Sequence, residues 1–274
     1  MERIKAVFAR DGAKLIPFVT VGDPSLEATA EVVVAMAEAG ADLVELGIPY
    51  SDPVADGPVI QASSQRALER GTRLADVFGV VRRIRAKSQV PLVLFTYCNP
   101  VYRYGLERFM REAAEAGADG VLMPDLPPEE AAELRAEAER FGLAVVFLVA
   151  PTTSEARIAL IGEATSGFLY LVAALGVTGV RSEVATNLEG YLRRVRAQAS
   201  KPLAVGFGVS TPEQATQIAA LGADAVVVGS ALVDRIGRWS QEADLPAKIG
   251  AFVADLKRGV LQARAEGASD LRKI

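Results

Sequence analysis

Residues 45–58, ELGIPYSDPVADGP, place one carboxylate inside an apolar run and a second in the proline- and glycine-punctuated stretch that follows. Glu45 stands between Val44 and Leu46, where loss of water raises a carboxyl pKa toward the range useful for proton transfer. Asp56, in a polar loop, is expected to stay ionised. Two carboxylates in unlike settings suit unlike roles, one moving a proton and the other stabilising charge. The residues alone leave plainer readings open: a buried structural glutamate paired to an arginine, and a turn aspartate in Ala-Asp-Gly-Pro.

The chain has no histidine, which removes the usual base of serine and cysteine hydrolases and the commonest transition-metal ligand. Catalysis must then rest on carboxylates, tyrosines, lysines or backbone groups. The single cysteine, Cys98, lacks a histidine partner and reads as a packed residue at a strand end. Late in the chain, glycines gather at GVTG (176–179), GFGVS (206–210) and Gly229-Ser230. Glycine lets backbone N–H groups approach an anion closely, so Gly179, Gly208, Gly229 and Ser230 are candidate phosphate ligands, though each glycine alone fits a turn equally well. Phe18, Tyr97, Tyr170 and Phe207 fall near the ends of apolar runs and can line a flat apolar pocket or fill a core. The polar segment 180–187 is expected to be a loop able to close over a ligand, or an ordinary solvated loop.

The elements that must position these residues follow from a recurrence. EAGADLVELG (38–47), EAGADGVLMP (115–124) and ALGADAVVVG (220–229) each join a helix end to an apolar strand. Gly40, Gly117 and Gly222 suit the left-handed residue that stops a helix, and the runs behind them suit strands buried on both faces. Five more apolar runs, at 14–20, 91–97, 144–150, 168–173 and 202–208, bring the strands to eight. Between them, 25–39, 128–141 and 211–221 carry helical spacing and Ser, Pro or Thr-Pro-Glu starts. Alternating strands and helices imply a parallel sheet, and eight repeats imply closure into a (β/α)8 barrel. An open doubly wound sheet would carry a Gly-x-Gly-x-x-Gly turn after an early strand, and VGDP follows the first strand instead. In such a barrel the site forms at the carboxyl ends of the strands, where Glu45 and Asp56 fall, and the loops after the last strands often hold phosphate.

The 274 residues, half of them hydrophobic, suffice for one large core, so residues 1–274 are read as one α/β domain with a tail, 262–274, that is expected to fray. A net charge of -4 without a basic stripe argues against nucleic acid and anionic lipid. No signal-peptide order and no apolar run near the roughly 20 residues that span a bilayer point to the cytoplasm.

The stretch ELGIPYSDPVADGP closely resembles the signature of the tryptophan synthase alpha chain family. The likeness runs through PFVTVGDP (17–24), YCNPVYRYG (97–105), PDLPPEE (124–130), GVTG (176–179) and GFGVS (206–210). The resemblance implies a (β/α)8 barrel that cleaves indole-3-glycerol phosphate to indole and glyceraldehyde 3-phosphate, a retro-aldol reaction without a cofactor of its own. It implies that Glu45 protonates the indole ring carbon and takes the glycerol hydroxyl proton, and that Asp56 accepts the indole N–H. By the same likeness, Gly179, Gly208, Gly229 and Ser230 hold the phosphate. Phe18, Tyr97, Tyr170 and Phe207 surround the indole, and Thr178 is a lid threonine. It further implies a beta chain partner that uses pyridoxal phosphate to join indole to serine in an αββα complex, facing Pro49, Asp52, Asn99 and Tyr102. Ala173 and Leu175 depart from the family pattern beside the lid. Two rivals remain: another phosphate-binding barrel such as a sugar-phosphate epimerase, disfavoured by the missing histidines, and a subunit whose main task is to bind and activate the beta chain.

Overall fold

Short runs of aliphatic and β-branched residues form eight parallel strands. These are β1 (Lys14–Thr20), β2 (Val44–Gly47), β3 (Leu92–Phe95), β4 (Gly120–Leu122), β5 (Ala144–Val149), β6 (Leu169–Val172), β7 (Leu203–Gly206) and β8 (Ala225–Val228). They pair in chain order and close, β8 onto β1, into the expected barrel. The computed structural model describes residues 1–172, 181–206 and 208–270, the side chains of 181–187 and 264–270 excepted. The helices are α1 (Glu2–Ala9), α2 (Leu26–Glu38), α3 (Pro58–Glu69), α4 (Leu74–Arg85), α5 (Cys98–Tyr104), α6 (Leu106–Ala116), α7 (Ala132–Arg140), α8 (Glu155–Ala164), α9 (Arg181–Gln198), α10 (Pro212–Ala220), α11 (Ser230–Arg238) and α12 (Leu245–Asp270). Among the described residues no helix is long and apolar enough to cross a membrane.

The capping signals act as their chemistry predicts. Ser25 caps α2 by accepting the Ala28 N–H at 3.1 Å, and Thr211 and Gln214 form a reciprocal box at the start of α10. Gly40, Gly117 and Gly222 take φ of 99°, 100° and 95°, a region that an L side chain enters only with strain.

Strand parity sorts the apolar residues into two layers. Ile16, Leu43, Val93, Leu122, Val146, Phe168 and Val227 pack inside the barrel, whereas Leu15, Val44, Leu46, Leu92 and Leu94 pack between barrel and helices. Each such side chain contributes about 1.5–3 kcal/mol on burial. α1 covers the amino-terminal mouth, with Ile4 in the inner cluster and Phe8 against Phe168 at a ring separation of 5.5 Å.

That mouth is stitched by four reciprocal pairs. Asp42, Asp119 and Asp224 each donate their N–H to the carbonyl of Leu15, Leu92 and Leu203, and each accepts the same leucine's N–H on a carboxylate oxygen at 2.7–2.9 Å. Ser166 does the same with Val145 through its hydroxyl. Every odd strand is thus tied at its start to the even strand that follows. Arginines complete the three acidic pairs: Arg10 on Asp42, Arg85 and Arg3 on Asp119, Arg196 on Asp224.

Several expectations need correction. The helix expected over 128–141 is a 3-10 turn, Pro128–Glu130, followed by α7, because the buried Ala131 leaves helical geometry at φ -91° and ψ 14°. The loop expected over 180–187 is helical from Arg181, as part of α9. Asn99 and Tyr102 lie on the short helix α5 rather than on a loop, and Cys98 opens that helix, its N–H bonded to Asp125 at 3.0 Å. Apart from these corrections, α12 runs to Asp270, and 271–274 lie outside the described residues.

Candidate active site

Glu45 points into the barrel. It shares the inward parity of Leu43 and stands in register with Phe18 of β1 and Val93 of β3. It is 0% exposed, and among the described residues neither carboxylate oxygen has a hydrogen-bond partner. No described cation pairs with it, so the arginine-paired structural reading does not hold. An unpartnered charge in such surroundings is costly, and burial accordingly pushes the Glu45 carboxyl up to about 8. At neutral pH it holds a proton it can give away.

Beside it, at the carboxyl end of the barrel, lies a cavity of about 230 Å³ lined by Phe18, Asp56, Ile60, Phe95, Tyr170, Val227 and the glycine-rich ends of β7 and β8. Two missing side chains make it. A Cβ on Gly47 would collide with the Phe18 ring, and one on Gly206 with the Tyr170 hydroxyl, so each glycine leaves a seat for an aromatic ring. Phe18 meets Phe95 edge-on, centroids 5.5 Å apart at 84°, which gives the wall a flat apolar face. Burial, and then the neighbouring Glu45 charge, hold the Tyr170 phenol well above its usual pKa, so it remains a neutral hydroxyl beside the glutamate.

Asp56 lies on the rim, in the segment between β2 and α3, and is half-buried rather than bathed in solvent. Burial raises its carboxyl pKa and a hydrogen bond from the Tyr97 hydroxyl opposes that rise. Tyr97 is itself 2% exposed and sits behind the segment, where its oxygen also accepts the Ala55 N–H at 3.2 Å. It therefore backs Asp56 and does not form the cavity wall. From the other side, Gln61 in the first turns of α3 donates to the Asp56 carbonyl at 2.7 Å.

The opposite end of the cavity is the start of α11. Gly229 is its N-cap and supplies no side-chain acceptor, and Gly229 and Ser230 line the cavity beside Gly208, which takes φ 33°. Unsatisfied donors together with the positive end of a helix dipole attract an anion such as a phosphate. The cavity thus joins an apolar slot, a proton-bearing glutamate, a rim aspartate and an anion cradle.

Phe18, Asp56, Tyr170, Gly208, Gly229 and Ser230 are brought together at the cavity; Glu45 is not one of its lining residues but neighbours two of them, Phe18 in the strand register and Tyr170. Thr178, Gly179 and Phe207 lie outside the described residues, as do Ala173 and Leu175. Of the surface residues expected to face a partner, Asp52, Asn99 and Tyr102 are exposed, whereas Pro49 is buried beneath the segment it begins. Phe95, Ile60 and Val227 were not anticipated. Parity carried two residues past Val93 and Ala225 marks Phe95 and Val227, and one helical turn beyond Asp56 marks Ile60.

The family model described as tryptophan synthase alpha chain matches residues 4–260. A tryptophan synthase alpha chain of Geobacter sp. (strain M21) is 51% identical over 266 residues, 96% of this chain and 99% of the relative. The crystal structure of tryptophan synthase subunit alpha from Legionella pneumophila str. Paris superposes with a TM-score of 0.87 at 37% identity, over 96% of this chain and 99% of that one. A structure of the tryptophan synthase a2b2 complex from Pyrococcus furiosus, whose subject is mutual activation, matches at TM-score 0.81 and 40% identity, over 89% and 98%.

Proposed function

The chain belongs to the tryptophan synthase alpha chain family, and on that premise we propose that its cavity cleaves indole-3-glycerol phosphate to indole and glyceraldehyde 3-phosphate. The observation that carries the reading is a wholly buried glutamate, without a hydrogen-bond partner among the described residues, beside the Phe18 and Tyr170 that line an apolar slot with a helix N-terminus at its other end. The phosphate is held by the first N–H groups of α11 at Gly229 and Ser230 and by the backbone at Gly208, with Gly179 assigned alongside them by the family likeness. The indole ring lies against Phe18, and Tyr170 flanks it.

The proton bookkeeping fits one acid and its conjugate base. Glu45 gives its proton to the ring carbon that bears the side chain, leaving positive charge on the ring nitrogen, which Asp56 stabilises by accepting the N–H hydrogen bond. The bond between ring and side chain then breaks, its electrons restore the ring double bond, and the glycerol hydroxyl becomes the aldehyde as its proton passes to Glu45. The acid is regenerated in each turnover. A carboxyl near 8 suits the donor role at neutral pH, and Asp56, on the wetter rim, suits the charge-stabilising role.

The product indole passes to a beta chain, which uses pyridoxal phosphate to join it to serine; that cofactor chemistry belongs to the partner. The exposed Asp52, Asn99 and Tyr102, which follow the carboxyl ends of β2 and β3, make up part of the partner-facing surface.

The test is Glu45→Gln, which keeps shape and removes the transferable proton. Indole release is expected to fall by about 10²–10⁴-fold with substrate affinity largely kept. Undiminished turnover would remove Glu45 from the reaction.

A further inference from the structure

Asp56 stands on an exposed segment. Ser51, Asp52, Val54 and Ala55 before it are exposed, and Gly57 and Pro58 after it carry the chain directly into α3. Its position therefore depends on how α3 is anchored. The anchor is a buried pair of hydroxyls: Thr20 at the end of β1 and Ser63 on α3, 3% and 0% exposed, with oxygens 2.6 Å apart. Ser63 also donates to the Ile60 carbonyl at 2.8 Å. A serine has one hydroxyl proton, so with that proton on Ile60 the Thr20 hydroxyl donates to Ser63. The chain of bonds runs from β1 through Ser63 to the first turn of α3, whose Ile60 lines the cavity.

One turn further along the same helix face, Arg66 grips the buried Asp23 carboxylate through two nitrogens, at 3.0 and 2.6 Å. Thr20 and Asp23 hold α3 at two points three residues apart on each side. β1 also carries Phe18, the register partner of Glu45. The clamp thus fixes Asp56 relative to the strand that neighbours Glu45, and the spacing of the two carboxylates is set through β1.

We propose that the buried Thr20–Ser63 hydroxyl pair is a positioning device that holds Asp56 where the ring nitrogen of the substrate needs it. The proposal rests on the cleavage reaction argued above. Neither hydroxyl touches substrate. Losing the bond lets the start of α3 drift, and a small misplacement at a reacting centre lowers turnover while leaving the separate phosphate and ring contacts in place.

The experiment follows indole release from indole-3-glycerol phosphate by the full-length chain, wild type and variants, at a temperature where circular dichroism shows each folded. Thr20→Val is isosteric and loses only the hydroxyl; Thr20→Ser keeps it. Thr20→Val and Ser63→Ala are each expected to lower kcat about tenfold with KM within about twofold. Thr20→Ser is expected to stay near wild type, and the double variant to be no worse than the poorer single, because both remove the same bond. A merely stabilising bond would shift the melting temperature and leave kcat alone. Unchanged kcat in Thr20→Val, or an equal fall in Thr20→Ser, overturns the proposal while wild-type turnover leaves the reaction standing. A wild-type chain that releases no indole overturns the reaction and the proposal together.

Discussion

Glu45 was legible from its neighbours: an acid flanked by Val44 and Leu46, on the inward parity of Leu43, has nowhere to go but the barrel interior. Its lack of a hydrogen-bond partner among the described residues was not legible, because that depends on side chains from β1, β3 and β6 meeting across the barrel. The same observation has a thermodynamic consequence. The folded-state carboxyl is raised to about 8 from an ordinary value of 4.5, so the native state binds a proton that the unfolded chain releases. The linked stability is fully present below pH 4.5 and is lost as pH rises through 8. Glu45→Gln carries no ionisable group there. It should melt close to wild type at pH 5 and roughly 5 °C above it at pH 9, where wild type must bury a charge at a cost of a few kcal/mol. Parallel melting curves across that range, read by calorimetry, would show that Glu45 titrates normally. For Tyr97 the sequence left pocket and core both open, and the fold is what shows it backing Asp56.

At the scale of elements, the three Gly-Ala-Asp repeats announced helix ends and strand starts, and the serine cap of α2 and the capping box of α10 could be read residue by residue. What the aspartates do was hidden, since each bonds to a residue about 21 to 27 positions earlier in the chain. Ser166, the fourth stitch, shares no motif with them and carried no signal at all. Nor did α1, whose short amphipathic run looks like any amino-terminal segment until Ile4 and Phe8 are seen to close the barrel. Because the stitches lie at the mouth away from the cavity, they serve the fold rather than the chemistry. Asp119 accepts from Leu92 N–H, Arg85 and Arg3 while 1% exposed. Asp119→Ala strands the half-buried guanidinium of Arg85 and a buried N–H. It should cost about 3 kcal/mol or more in denaturant unfolding, with KM for the substrate kept in the folded fraction. A loss below about 1 kcal/mol would mean that the stitch carries little.

For the whole molecule, the two ends of the barrel divide the labour, and the two most exposed large apolar residues among those described sit at one of them. Val54 is 79% exposed and Tyr102 81%, both at the carboxyl end, beside the cavity mouth and far from the stitched one. Val54 precedes Asp56 by two residues, and Tyr102 lies on α5, whose Asn99 amide donates to the Tyr50 hydroxyl at 3.0 Å while the Tyr50 ring packs on Tyr97 at 5.4 Å. Large apolar side chains left in water at a rim are the residues a partner surface covers. A beta chain seated there would press on the segment that carries Asp56 and on the helix that backs it, so docking and catalysis share a few side chains. Tyr102→Ala is expected to weaken binding to the beta chain by about 2 kcal/mol, some 30-fold in Kd, as aromatic anchors at interface centres do. If the beta chain raises indole release, the variant should also show a smaller rise at a fixed beta chain concentration, a deficit that raising that concentration restores. Titration of the beta chain against the variant, followed both by sedimentation and by turnover, separates the two effects. Wild-type affinity in Tyr102→Ala would place the partner elsewhere on the molecule and leave this rim without an explanation for its exposed side chains.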